Sequence, residues 1–304
     1  MKKHILPLAI CLSLMSLPVA AQSAPEPVFL PLPKSETPVS VTDADVRRKT
    51  AQVRLRKIIL VGDSTVQSGS GWGGAFCAFN TTPYVTCVNM AIGGRSTFSY
   101  RAEGSWDYAL NETRQPDFAQ VYVLIQFGHN DQPGKPGRST DLDSEYSENL
   151  RQYVRDVRAA GAIPVLVTPL VRRSFVNGSL QDTLYAWADQ VRAVAKEMDV
   201  PLIDLHATSL ASVQAMGPVD SLELSQKRPS VEVIEAAKTG TSAGAFIPGA
   251  APATSTEVAV TGQQAPAVTF DYTHVGENGA KLFARQVAAE LVKVVPDLHK
   301  RIVP

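Results

Sequence analysis

A serine, an aspartate and a histidine are the side chains of this 304-residue chain that could do chemistry together. Ser64 comes early, two residues after Gly62, and Asp271 and His274 come late, three residues apart. Acyl transfer by a serine hydroxyl needs a base to take its proton, a group to orient that base, and donors for the developing oxyanion. An Asp-x-x-His pair at a helix entrance can fold so that the carboxylate holds Nδ1 and presents Nε2 outward. Asn130, within Gly128-His129-Asn130-Asp131, carries a side-chain amide able to donate to an oxyanion. Gly93-Gly94 leaves backbone that a ligand can approach closely. Each feature has a plainer reading beside it. Asp63, Ser64 or Thr65 could cap a helix, and Asn130 could be a turn residue bonded to its own backbone.

The elements around these residues decide how much weight they carry. Lys57-Ile58-Ile59-Leu60-Val61-Gly62 reads as a strand buried on both faces, because four apolar residues run without alternation. Tyr84 to Asn89 and Val121 to Gln126 read as a second and third strand, Ile163 to Thr168 as a fourth, and Val200 to Ile203 as a short fifth. Between them, Trp72 to Phe79 gives a short helix. Tyr146, Leu150, Val154 and Val157 recur at helical spacing up to Gly161, as do Leu184, Trp187, Val191, Val194 and Met198. Phe283, Val287 and Leu291 mark a last helix. Strands alternating with helices predict an α/β fold with a parallel sheet covered on both sides. Ser64, Gly93-Gly94 and Asn130 then all follow strands, at the carboxyl edge where open sheets hold their ligands.

Gly62-Asp63-Ser64-Thr65, Gly93-Gly94-Arg95-Ser96, Gly128-His129-Asn130-Asp131 and Asp271-Tyr272-Thr273-His274 together resemble the four blocks of the SGNH (GDSL-type) hydrolases. Their wording is closest to the rhamnogalacturonan acetylesterase-like branch of carbohydrate esterases. The resemblance spans about residues 57–293 and implies a three-layer α/β/α sandwich of flavodoxin-like topology. It implies a serine esterase acting on acetylated plant cell-wall polysaccharide, of the pectin or xylan kind, without a cofactor. Ser64 would be the nucleophile, His274 the base and Asp271 its orienter. The oxyanion donors would be the N–H groups of Ser64 and Gly94 and the amide of Asn130. A lipase or thioesterase of the same superfamily, and a carbohydrate-binding protein on a retained hydrolase fold, are the competing readings.

Two other motifs compete for attention. Gly240-Thr241-Ser242-Ala243-Gly244 matches a Gly-x-Ser-x-Gly elbow, but the preceding Val233 to Lys238 is more helical than strand-like, and an elbow needs a strand there. Gly69-x-Gly71-x-x-Gly74 lacks the acidic residue of a dinucleotide site and reads as a flexible loop. Trp72, Arg95 and Tyr100 are the expected substrate contacts, with Arg172 and Arg173 also placed to meet a uronate. No His, Cys, Asp and Glu cluster has metal-ligand spacing.

Lys2 and Lys3 before the apolar run Ile5 to Leu17, then Val19-Ala20-Ala21, read as a signal peptide over residues 1–21, so a secreted or periplasmic protein without a stable membrane span is expected. Residues 22–50 are a proline-rich arm, and 51–304 the hydrolase domain, interrupted at about 217–268 by a low-complexity insertion. A formal net charge of zero gives no electrostatic reason to bind nucleic acid, and a monomer is expected. Beyond the leader only Cys77 and Cys87 remain, free to form a bridge or to stay as thiols.

Overall fold

Ile58, Ile59, Leu60 and Val61 are all fully buried, and they alternate between the two apolar clusters of the domain. Their strand, β1 (Leu55–Gly62), is an inner strand of a parallel sheet completed by β2 (Val85–Asn89), β3 (Phe118–Gln126), β4 (Ile163–Val167) and β5 (Leu202–Ile203). Burial of each such aliphatic side chain is worth about 1.5–3 kcal/mol, so a one-residue slip of register would exchange the faces at great cost. The register pairs Ile59 with Val123 and Leu60 with Leu124. The computed structural model describes residues 55–116, 118–245 and 269–304. The leader and arm expected over residues 1–50 lie outside the described residues.

In space the strands run β2-β1-β3-β4-β5. On one face, Ile58, Leu60, Tyr122, Leu124, Val165 and Val167 pack against α1 (Gly73–Phe79), α5 (Leu205–Asp220) and α7 (Glu277–Val294) through Phe76, Val213, Phe283, Val287 and Leu291. On the other, Ile59, Val61, Val123, Ile125 and Leu166 meet α2 (Ser105–Thr113), α3 (Ser147–Ala159) and α4 (Tyr185–Glu197) through Trp106, Leu150, Val154, Trp187 and Val191. This is the expected three-layer α/β/α sandwich, with the flavodoxin-like strand order. The chain turns from β1 to one side for β2 and to the other for β3, so the crevice of the sheet opens at their carboxyl ends. Cys77 on α1 and Cys87 on β2 are joined by a disulfide that ties a covering helix to the edge strand.

The stretch expected as a low-complexity insertion is folded as far as it is described. α5 breaks at Gly217 and Pro218, a short 3-10 turn follows at Ser221–Leu224, and α6 (Val231–Lys238) is capped by Ser230. The helical reading of Val233 to Lys238 holds as α6, while the end of α5 is obscured in the sequence by small residues. Residues 246–268 lie outside the described residues. Among the described residues, no helix is long and apolar enough to cross a membrane.

Candidate active site

β1 ends at Gly62 and the chain turns at once, carrying Ser64 to the sheet edge. Asp63, fully buried, holds that turn: its Oδ1 accepts the Thr65 N–H at 2.8 Å and the Thr65 hydroxyl at 2.7 Å. Thr65 Oγ1 in turn accepts from Gln126 Nε2 at 2.6 Å, and Gln126 Oε1 accepts from Trp72 Nε1 at 2.9 Å. The loop after Ser64 closes back on it. Gly71 lies so near Thr65 that a Cβ would stand 2.0 Å from the Thr65 carbonyl, and Ser70 Oγ donates to Ser64 O at 2.7 Å. The Gly69–Gly74 segment, expected as a flexible loop, is therefore a tight brace under the serine.

His274 reaches Ser64 from the far end of the sequence. Its Nε2 lies 2.8 Å from Ser64 Oγ, and its Nδ1 lies 2.7 Å from Asp271 Oδ2. Asp271 Oδ1 accepts the N–H groups of Thr273 and His274, each at 2.7 Å, folding the four-residue turn around its own carboxylate. Burial works against the charge on Asp271, but the His274 ring and these two amides outweigh it and hold the carboxyl below the usual carboxylate range. With Nδ1–H given to a carboxylate, Nε2 is left as the acceptor that a serine hydroxyl needs.

Arg173 locks this turn from behind. It is fully buried, and its guanidinium donates to the carbonyls of Asp271 at 3.2 Å, Thr273 at 3.2 Å and His274 at 2.8 Å. Burial lowers its pKa to about 10, which still leaves it a cation at neutral pH. The Val275 N–H donates to Ser70 O at 2.9 Å, joining the histidine turn to the serine loop.

After β3, Asn130 Nδ2 donates to Arg95 O at 3.0 Å. One amide hydrogen is thereby fixed, and the other remains for a ligand. Gly94 adopts φ +77°, a conformation that favours glycine. The backbone N–H groups of Ser64 and Gly94 make no hydrogen bond among the described residues. A Cβ added to neighbouring Gly93 would stand 3.5 Å from Ser64 Cβ, so this loop lies beside the serine. The Ser64 and Gly94 N–H groups and the second Asn130 amide hydrogen are left as donors, the set an oxyanion would need.

Behind Asn130 lies a buried polar layer that sequence reasoning missed. Asp131 Oδ1 accepts the Thr97 N–H at 2.9 Å and the Thr97 hydroxyl at 2.5 Å, with Thr140 Oγ1 at 3.3 Å. Burial raises its pKa to about 7, opposed by the threonine donors and helped by the charge of Asp63. His129, also buried, stands with Nδ1 3.6 Å from Asp63 Oδ2, an electrostatic contact rather than a hydrogen bond. Burial keeps that imidazole below its usual range, and so neutral. The signal for this layer was present in Gly128-His129-Asn130-Asp131, where three polar residues directly follow a buried strand.

Two of the expected substrate contacts are corrected. Trp72 is 1 % exposed and Tyr100 0 %, so neither can stack on a sugar. Trp72 packs edge-on to Phe76, and the Tyr100 hydroxyl donates to Met90 O at 2.8 Å. Both aromatic rings carry more apolar area than a sheet edge can leave in water, and the core takes them. Arg95 is half-buried, pairs with Glu103 and donates to Gly93 O, which fixes the loop carrying Gly94. Arg172 donates to Thr183, and Arg173 serves the histidine turn. Ser242 is buried, its hydroxyl accepting from the Phe175 N–H at 3.0 Å, which makes it a structural residue. Among the described residues, no cluster of His, Cys, Asp and Glu is arranged to hold a metal ion.

Known proteins share this framework. The rhamnogalacturonan acetylesterase RhgT of Bacillus subtilis (strain 168) is 39 % identical over 176 residues, covering 55 % of this chain and 72 % of that protein. The protein named probable rhamnogalacturonan acetylesterase YesY, from the same organism, is 35 % identical over 161 residues, or 51 % of this chain and 72 % of its own. The crystal structure of protein YXIM from Bacillus subtilis aligns with a TM-score of 0.56 at 25 % identity, covering 79 % of this chain. This chain spans 56 % of that structure's length. Residues 60–222 match the model of the GDSL-like lipase/acylhydrolase family, a stretch that includes Ser64, Gly94 and Asn130 and stops short of Asp271 and His274. On that match, over more than half its length, the chain belongs to the GDSL-like lipase/acylhydrolase family.

Proposed function

We propose that the protein is an exported carbohydrate acetylesterase that removes O-acetyl groups from plant cell-wall polysaccharide, rhamnogalacturonan first among the candidates. The observation that carries the reading is the unbroken chain from Asp271 Oδ2 through His274 to Ser64 Oγ, at 2.7 Å and 2.8 Å. The names of the related proteins supply the acetyl group and the rhamnogalacturonan. Export rests on the leader read in residues 1–21.

In the first half-reaction the Ser64 proton passes to His274 Nε2 as Oγ bonds to the acetyl carbonyl carbon. The oxyanion that forms is met by the Ser64 and Gly94 N–H groups and by Asn130 Nδ2, and Asp271 stabilises the imidazolium. The bond to the sugar oxygen breaks, and His274 returns its proton to that oxygen, freeing the sugar hydroxyl and leaving acetyl-Ser64. Water then repeats the sequence: its proton goes to His274, its oxygen bonds to the acetyl carbon, and acetate leaves as Ser64 recovers its proton.

Acetate release from acetylated rhamnogalacturonan, together with hydrolysis of p-nitrophenyl acetate against the octanoate, tests this reading. The expected result is acetate preference in the native protein, complete loss in Ser64→Ala, and nearly unchanged turnover in Ser242→Ala. Full activity in Ser64→Ala, or preference for octanoate, would overturn it.

A further inference from the structure

Beside the histidine turn runs a segment with no part in the mechanism above. Gly276 N–H donates to Leu224 O at 2.9 Å, Ser225 pairs with Val275 in an antiparallel bridge, and Gln226 Nε2 donates to Gly69 O at 2.6 Å. Residues 224–226 therefore lie against both the loop that carries His274 and the loop that follows Ser64. The next two residues are Lys227 and Arg228, both exposed, and neither makes an ion pair or hydrogen bond among the described residues. Several exposed cations elsewhere are matched, among them Arg151 with Glu197, Arg155 with Glu148, Lys281 with Glu277 and Lys293 with Glu290, but Lys227 and Arg228 are the two that line a groove beside the histidine turn.

Lys227 and Arg228 line a groove of about 480 Å³ together with the apolar side chains of Val219, Leu222 and Ile234 and with Asn278. Glu223 is the one acidic side chain of the lining, which so carries two positive charges against one negative. That volume lies in the range of about 300–1,000 Å³ usual for small-ligand sites. Bridged residues stand about 5 Å apart and successive Cα atoms about 3.8 Å, so Lys227 is at most roughly 17 Å from His274 along the backbone path. A polymer with one acetylated residue at Ser64 would place a residue a few sugars along its chain over this groove. Apolar lining suits the C–H face of a sugar ring, and paired cations suit a carboxylate.

We propose that this groove is a distal subsite for a uronate residue of the polysaccharide, with Lys227 and Arg228 as donors to its carboxylate. The inference rests on the acetylesterase reading and deepens it: the enzyme selects an acidic glycan over a neutral one. Asn278 is placed to donate to or accept from a ring hydroxyl at the same position.

The experiment compares acetylated rhamnogalacturonan oligosaccharides, whose galacturonate carboxylates are intact, with the same material after reduction of those carboxylates to primary alcohols. Native protein and a Lys227→Gln, Arg228→Gln double variant are assayed on both, and on p-nitrophenyl acetate. The native protein should show a KM for the acidic substrate roughly five- to tenfold below that for the reduced one, an advantage that shrinks as salt rises. In the double variant the two KM values should converge, with p-nitrophenyl acetate turnover unchanged. Calorimetric binding of unacetylated acidic and reduced oligosaccharides to Ser64→Ala reads the groove without catalysis, so failure of the esterase reading leaves a separate result here. An acidic preference that survives in the double variant, equal binding of both oligosaccharides to the native groove, or loss of p-nitrophenyl acetate turnover in the variant would overturn the proposal.

Discussion

Asp131→Asn should make the protein more resistant to unfolding at pH 8 than at pH 4.5, measured relative to the native chain. Asp131 sits in the interior with its Oδ1 engaged by Thr97 and Thr140, while its Oδ2 has no hydrogen-bond partner. Burial lifts its pKa from 3.8 to about 7, so the folded protein holds this proton up to neutrality while an unfolded chain releases it near 3.8. The folded state binds more protons between those values, so its stability falls as pH rises through that window and levels off above about 7. Each pKa unit is worth about 1.36 kcal/mol, which makes the whole loss on the order of 4 kcal/mol and that between pH 4.5 and 8 about 3 kcal/mol. Asparagine keeps the Oδ1 acceptor for Thr97 and never ionises. The difference in unfolding free energy between variant and native protein, followed by urea titration, should therefore move by about 3 kcal/mol in the variant's favour across that range. In melting temperature this is about 6–12 °C for a domain of this size. A difference that stays flat with pH would mean that Asp131 is ionised throughout and that the Thr97 donors, not burial, govern it.

The remaining expectations concern the site and its supports. Asn130→Ala should lower kcat roughly a hundredfold or more with little change in KM, since its free amide hydrogen meets an oxyanion that exists only in the transition state; unchanged kcat would return it to a turn residue. Arg173→Ala strips three buried carbonyls of their donor and should cost about 3–5 kcal/mol of unfolding free energy in denaturant titration, and a loss under about 1 kcal/mol would show that the histidine turn holds itself. Replacing Cys77 and Cys87 by serine reopens a ten-residue separation, and should cost about 2–3 kcal/mol by the same measurement.

Much of this molecule was legible because its chemistry and its periodicity point the same way. The continuous apolar run Ile58 to Val61 could only be an inner parallel strand, and once it is one, a serine two residues past its end must stand at the sheet edge. Asp271 and His274 were readable because their spacing is local: three residues bring a carboxylate to its neighbour's ring. What stayed hidden depends on contacts across the chain. Nothing local tells that Arg173 turns inward towards residues a hundred positions away, or that Trp72 lies beneath the serine on Gln126. The same holds for α5, whose small residues show too little contrast in hydrophobicity for a period to appear, whereas Val233 to Lys238 in α6 was readable as helical.

The loops of the site are held by different means, and that division follows from the strand order. The serine loop and the Asn130 loop leave adjacent strands, β1 and β3, whose ladder fixes their separation before any side chain acts. The histidine turn leads directly into α7 and is anchored by the Arg173 side chain and by the backbone bond from Val275 N–H to Ser70 O. The family match covers the loops fixed by the sheet and ends before the turn fixed by anchors. In this chain one anchor, Arg173, precedes the segment 217–245, and another, Ser225, lies within it, bridged to Val275. The same segment that supports the base also carries Lys227 and Arg228. A change there reaches catalysis through the position of His274 and recognition through charge, and the two effects separate because only the second depends on the substrate's carboxylate.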